Sequence, residues 1–139
     1  MRRPAWAVAV LTFAALFAAC AHGPEELLGN WTGEDAEGNR HTLSFNERGR
    51  ALWSLEGEGV DEDFELRYRY DDEATPHHLD LSGFDHGPLQ EKSLYCILEW
   101  QAADAFRMDC ETGESKKGGE SVRPKDFGRH SLLYMKVTR

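Results

Sequence analysis

Short runs in which apolar and polar residues alternate recur along most of this chain, separated by clusters of Gly, Asn, Asp and Pro. A period of two is that of a half-buried strand, with one face in a core and the other in water. From Gly29 onward no segment keeps a helical period for three turns, so the pattern predicts an all-β domain. Trp31 opens a first strand, and Glu37-Gly38-Asn39 turns it into a second, His41 to Phe45. Asn46 to Gly49 is a turn, and Arg50 to Leu55 a third strand with Ala51, Trp53 and Leu55 on one face. The cleanest alternation sets Phe64, Leu66, Tyr68 and Tyr70 against Glu65, Arg67 and Arg69 in a fourth. Leu79 and Leu81 mark a fifth strand, Leu94 to Trp100 a sixth, Ala105 to Cys110 a seventh and Leu132 to Val137 an eighth. Gly83 to Glu91 and Glu111 to Val122 read as polar loops, the second mobile. Pro24 to Leu28 reads as a single helical turn, with Pro and two Glu near its start. Eight strands joined in sequence by short turns predict a small up-and-down barrel closing first strand on last.

The N-terminus breaks this pattern. Met1-Arg2-Arg3 is followed by an apolar run, Ala5 to Ala19, interrupted only by Thr12, and then by Cys20 and polar residues. That is the layout of an export signal. As a helix the run spans about 22 Å, short of the ~30 Å of a bilayer core, which disfavours a permanent transmembrane anchor. Leu16-Phe17-Ala18-Ala19-Cys20 resembles the lipobox of bacterial lipoproteins, with Phe17 where Leu is usual. The resemblance implies cleavage before Cys20, fatty acylation of Cys20 and a bilayer partner; two acyl chains suffice for stable anchoring. Ordinary cleavage after Ala19-Cys20-Ala21 would instead discard the cysteine. The expected organisation is a signal peptide over 1–19, a tether over 20–26 and a barrel over 27–139. Ala21 stands where an Asp would signal inner-membrane retention, which points to the outer membrane of a diderm host.

Cys96 and Cys110 remain for an exported, oxidising compartment. If Trp100 faces Phe106 across a hairpin about Gln101 to Asp104, the antiparallel register sets Leu98 opposite Met108 and Cys96 opposite Cys110. Directly opposed residues lie about 4.5–5.5 Å apart, within disulfide range. Two buried free thiols are the other reading.

Further segments carry a second resemblance. Leu28-Gly29-Asn30-Trp31 is similar to the Gly-x-Trp opening of lipocalin-like proteins. Thr75 to Leu81, Tyr95-Cys96-Ile97-Leu98-Glu99, Phe106 to Cys110 and Arg123-Pro124-Lys125-Asp126-Phe127 follow the order of segments in a lipocalin-like domain of unknown function first described from planctomycetes. Cys96 replaces that family's glycine, and Leu98 a tyrosine. The resemblance covers residues 27 to 139, implies a small β-barrel and brings no activity. It also implies structural roles for Gly29, Trp31 and an arginine stacked on Trp31, for which Arg139 is the candidate in the last strand.

Composition narrows the function. The chain has 139 residues and a formal net charge of −9, which becomes −11 once a leader carrying Arg2 and Arg3 is removed. Nucleic acid is not an expected partner, because phosphate contacts need clustered cations. No Gly-x-Ser-x-Gly elbow, phosphate loop or dinucleotide fingerprint is present, so no enzyme, catalytic residue or cofactor is expected. His77, His78, Asp80, Asp85 and His86 have the side chains of a zinc or copper site, but His77 and His78 would point to opposite faces of a strand, and no metal is expected. Asp35 to Asn39 imitates the start of a calcium loop without its later Gly and Glu, and reads as a turn. Asp61-Glu62-Asp63 and Asp71-Asp72-Glu73 read as solvated turns. The candidate ligand-binding residues are the large inward side chains Phe45, Trp53, Phe64, Tyr68, Trp100 and Phe106. They either line a pocket for a small apolar ligand or lipid, or fill the barrel. The expectation is a monomeric envelope lipoprotein that binds such a ligand. A solid barrel that binds or inhibits a protein or envelope polymer through its two long loops is the alternative.

Overall fold

A computed structural model describes residues 24–138; the expected signal peptide, Cys20 and Arg139 lie outside the described residues. The chain forms eight antiparallel strands: β1 (Gly29–Glu34), β2 (Arg40–Phe45), β3 (Arg50–Gly57), β4 (Val60–Asp71), β5 (His77–Ser82), β6 (Lys92–Ala102), β7 (Ala105–Glu114) and β8 (Leu132–Lys136). Each strand pairs with its sequence neighbours, and β8 closes on β1 through Trp31↔Lys136 and Thr32↔Met135. The barrel is therefore up-and-down and closed, with each strand bonded to a neighbour on both sides over at least part of its length. Its only helical element among the described residues is a 3-10 turn, Pro24–Glu26.

Alternation accounts for the core. Inward positions of successive strands supply Trp31, Leu43, Phe45, Phe64, Leu66, Leu79, Leu81, Leu98, Phe106 and Tyr134, all buried. Outward positions of β4 are charged and exposed. One end of the barrel holds the 3-10 turn and the β2–β3, β4–β5 and β6–β7 turns. It is packed solid. Leu27, fully buried, plugs it, and its carbonyl accepts a hydrogen bond from Trp31 Nε1 at 2.8 Å. Trp31 meets Phe106 at 4.8 Å and Trp100 at 5.5 Å between ring centroids, and Trp100 Nε1 donates to the Tyr70 hydroxyl at 3.0 Å. The cation over the Trp31 ring among the described residues is Lys136, 5.5 Å from its centroid. Gly29 precedes it with φ +113°, a conformation that a side chain disfavours.

Several element boundaries differ from expectation: β3 runs two residues further at its end and β6 two at each end, β8 stops at Lys136, and Asp71 is the last residue of β4. Strand β4 begins at Val60, so Asp61-Glu62-Asp63 is paired strand, opposite Glu56, Leu55 and Ser54, instead of a turn. The two-residue turn Glu58-Gly59 lets the ladder run past the core, because backbone hydrogen bonds do not need a buried side chain. The β6–β7 hairpin turns at Ala103-Asp104, with a register shift between Trp100 and Ala102. Strand β7 continues to Glu114, so the polar segment after Cys110 starts as sheet, and residues 115–131 form a strap instead of a free loop.

The strap explains why β6 is buried on both faces. Tyr95 and Ile97 point out of the barrel and are nonetheless 4% and 1% exposed, because the strap lies over them. Gly113 and Gly119 sandwich the Tyr95 ring, and a Cβ on either would clash with it. Arg123 Nη1 donates to the Cys96 carbonyl at 2.9 Å, while its Nη2 pairs with Asp80 at 2.6 Å. Phe127 sits under the Arg107 guanidinium at 4.0 Å, and Gly128 N donates to Asp109 at 2.8 Å. Beneath it Trp100↔Phe106, Leu98↔Met108 and Cys96↔Cys110 are in register, and Cys96 and Cys110 form a disulfide.

Candidate functional site

The other end of the barrel is not completely filled. Beneath the β1–β2 turn, the β5–β6 loop and the end of the strap lies a chamber of about 160 Å³, walled by Leu43, Trp53, Leu81, Leu94, Met108 and Leu132. The disulfide-bonded Cys110 forms part of the wall, and His41, Asp109, His130 and Tyr134 bring polar atoms to it. Such a composition, apolar with a few polar groups, is that of small-molecule sites. The volume is far below the roughly 300–1,000 Å³ of pockets that bury drug-sized ligands, and near the ~150 Å³ that suffices for one benzene ring.

Local sequence sets the polar groups. Asp35 closes the β1–β2 turn by accepting from Glu37 N at 3.0 Å and Asn39 N at 2.9 Å, an Asx turn completed by Gly38 at φ +84°. Its other oxygen meets His41 Nε2 at 2.8 Å. Trp53 Nε1, which can only donate, lies 3.2 Å from His41 Nδ1. His41 Nδ1 is therefore the acceptor, and the ring proton sits on Nε2 and donates to Asp35. With both nitrogens engaged, the ring orients Trp53 and has no free lone pair for proton abstraction. The His41 hydrogen bond, followed by those from Asn39, holds the Asp35 carboxyl down at about 2 against desolvation. Tyr134 is 2% exposed, and its hydroxyl has no hydrogen-bond partner among the described residues. Burial, with a smaller contribution from the Asp35 charge, pushes its ionisation above the ordinary phenol range, so it is a neutral donor.

Of the six expected ligand-binding residues, Trp53 alone lines the chamber. Phe64 stands behind it, tilted against Trp53 at 5.4 Å and stacked on His86 at 4.6 Å. Phe45 and Tyr68 pack edge to face at 5.0 Å lower down, and Trp100 and Phe106 belong to the plug around Trp31. Those four fill the barrel. Sequence reading missed Phe84, a buried lone aromatic of the β5–β6 loop, which turns inward against Trp53 and Phe64 behind the chamber wall. It also passed over His130 and Tyr134, because a solitary polar position on a short strand has no periodic signature.

The expected metal-type residues are dispersed. His77 Nδ1 is 3.0 Å from the Ala74 carbonyl, His78 lines an outer groove, Asp80 is committed to Arg123, and Asp85 pairs with His86 at 2.6 Å. That bond to His86 lowers the Asp85 pKa. Among the described residues no three His, Cys, Asp or Glu side chains form a metal-binding group.

No family model, no curated protein and no solved structure matches this chain.

Proposed function

We propose that this protein is a cell-envelope lipoprotein of lipocalin-like type, anchored through an acylated Cys20, whose barrel takes a small, largely apolar molecule into the upper chamber. The observation that carries the reading is a chamber of about 160 Å³ with a mostly apolar wall, to which Tyr134 brings a neutral hydroxyl beside His41, Asp109 and His130. The ligand class follows from size and polarity: a single ring or short branched chain with one hydrogen-bond acceptor. A long acyl chain does not fit while Phe45, Tyr68, Trp100 and Phe106 fill the lower barrel. The four filled positions equally favour a second reading, in which the barrel is a rigid scaffold and recognition occurs on its outside.

Two measurements separate the parts of the proposal. Metabolic labelling with a radioactive fatty acid tests the anchor: label is expected in the wild type and absent in Cys20→Ala, and equal labelling of both rejects it. Titration with phenol, toluene and oleate, read by Trp53 emission and Tm, tests the chamber. Phenol and toluene are expected to raise Tm and shift the emission, and oleate to do neither. No response to either ring compound leaves the scaffold reading.

A further inference from the structure

The outer wall carries a second concave feature, independent of the chamber and of the anchor. Between β4 and the strap runs a groove whose floor is the outward face of β5, including Asp80 and Ser82. Arg67 and Arg69 of β4 form one side, and Lys117, Glu120 and Ser121 of the strap the other. The strap is held at a fixed distance by Arg123, so the groove is a built feature of the fold.

Lys117 and Arg123 on the strap side are paired with Glu114 and Asp80, whereas the arginines on the strand side are not. Arg50 and Arg67 stand directly opposite one another across β3 and β4, both outward and exposed. Like charges so placed destabilise a sheet. Arg69 has Asp80 as its cross-strand neighbour, but the ion pair of Asp80 is with Arg123 at 2.6 Å, so one carboxylate serves two guanidinium groups. None of Arg50, Arg67 and Arg69 has an ion-pair partner among the described residues. Three unpaired guanidinium groups therefore share one stretch of surface on a protein whose net charge is −9.

We propose that this groove binds a phosphate-type dianion, held by the forks of Arg67 and Arg69 with Arg50 supplying a third positive charge. A guanidinium fork matches two oxygens of such a group, and a doubly charged ligand relieves the repulsion between Arg50 and Arg67 more fully than a carboxylate does. The Ser82 and Ser121 hydroxyls add donors along the groove.

Arginine side-chain Nε–H signals of the purified full chain, followed by NMR during titration with sodium phosphate, test the assignment. Saturable shifts at Arg67 and Arg69 are expected, with no saturable shift in sodium chloride of equal ionic strength. The double variant Arg67→Gln/Arg69→Gln, checked for an unchanged β-sheet circular dichroism spectrum, is expected to weaken binding at least tenfold. Arg48→Gln, in the β2–β3 turn outside the groove, is expected to leave it intact. Equal shifts in chloride, or undiminished binding by the double variant, overturn the proposal and reduce the patch to general charge screening. A parallel titration with glycerol phosphate identifies the source: tighter binding than inorganic phosphate supports an esterified phosphate, and weaker binding supports the free ion.

Discussion

Single residues in this barrel are set by donor and acceptor arithmetic as much as by packing. Asp35 accepts from two backbone amides, from Asn39 and from His41, and its pKa falls to about 2 from an ordinary 3.8. A depressed carboxylate stabilises the fold above its unfolded pKa, and that contribution is lost as pH falls through the folded one. Wild-type stability is therefore expected to drop between about pH 4 and pH 2. Asp35→Asn, measured by urea unfolding, should be destabilised by about 1 kcal/mol at pH 7 and show a flatter profile in that window. Tyr134 presents the opposite case, a buried phenol ring on the chamber wall whose hydroxyl makes no hydrogen bond to the described residues. Tyr134→Phe is expected to leave stability unchanged or raise it by up to about 1 kcal/mol, since no hydrogen bond is lost. The same variant should bind toluene like wild type and phenol more weakly, read by Trp53 emission. Equal loss of both ligands would show that the hydroxyl plays no part in recognition. Gly119 is fixed by the Tyr95 ring against it. Gly119→Ala should cost about 1–3 kcal/mol through overpacking, against about 1 kcal/mol of backbone strain for Gly118→Ala, whose φ is +74° with open space around it.

At the level of elements, the β6–β7 hairpin is the best-buried part of the molecule and the most strongly cross-linked. The barrel interior covers one face of β6 and the strap the other, while the disulfide joins it to β7 across a sequence separation of 14. Chain-entropy reasoning for a loop of this length assigns the bridge about 3 kcal/mol. Unfolding by guanidinium with and without reductant is expected to show that difference in midpoint, with an unchanged fold at low denaturant. Two thiols titrating in denaturant without reductant would contradict the bridge. The hairpin register was legible in sequence because Trp100, Leu98 and Cys96 face Phe106, Met108 and Cys110 at matched intervals of two. The strap was not. Its residues are polar and aperiodic, and what holds them, Arg123 to the Cys96 carbonyl and Phe127 under Arg107, joins positions far apart in the chain.

The whole molecule divides into a filled end and an open end. Leu27, Trp31, Trp100 and Phe106 fill one, while a residual chamber remains at the other, with Phe84 packed against its wall residue Trp53. A barrel of eight strands is close to the size at which its own side chains fill it, so the volume left for a ligand depends on a few residues. Leu94→Ala, in the chamber wall, is expected to destabilise by about 2–3 kcal/mol, less than a fully buried leucine would. It should also widen ligand choice to two-ring compounds such as naphthalene, measured by Tm shift.

Alternation of period two and the spacing of Gly, Asn and Asp turns were enough to specify eight strands, their order and the face each turns inward. These are local properties, because side-chain direction along a strand follows from the backbone alone. The partial filling of the interior, the docking of the strap and the grouping of Arg50, Arg67 and Arg69 beside it are different in kind. Each depends on side chains from distant positions competing for the same space or the same partner, as Arg69 and Arg123 compete for Asp80. Only closure of the barrel decides those competitions.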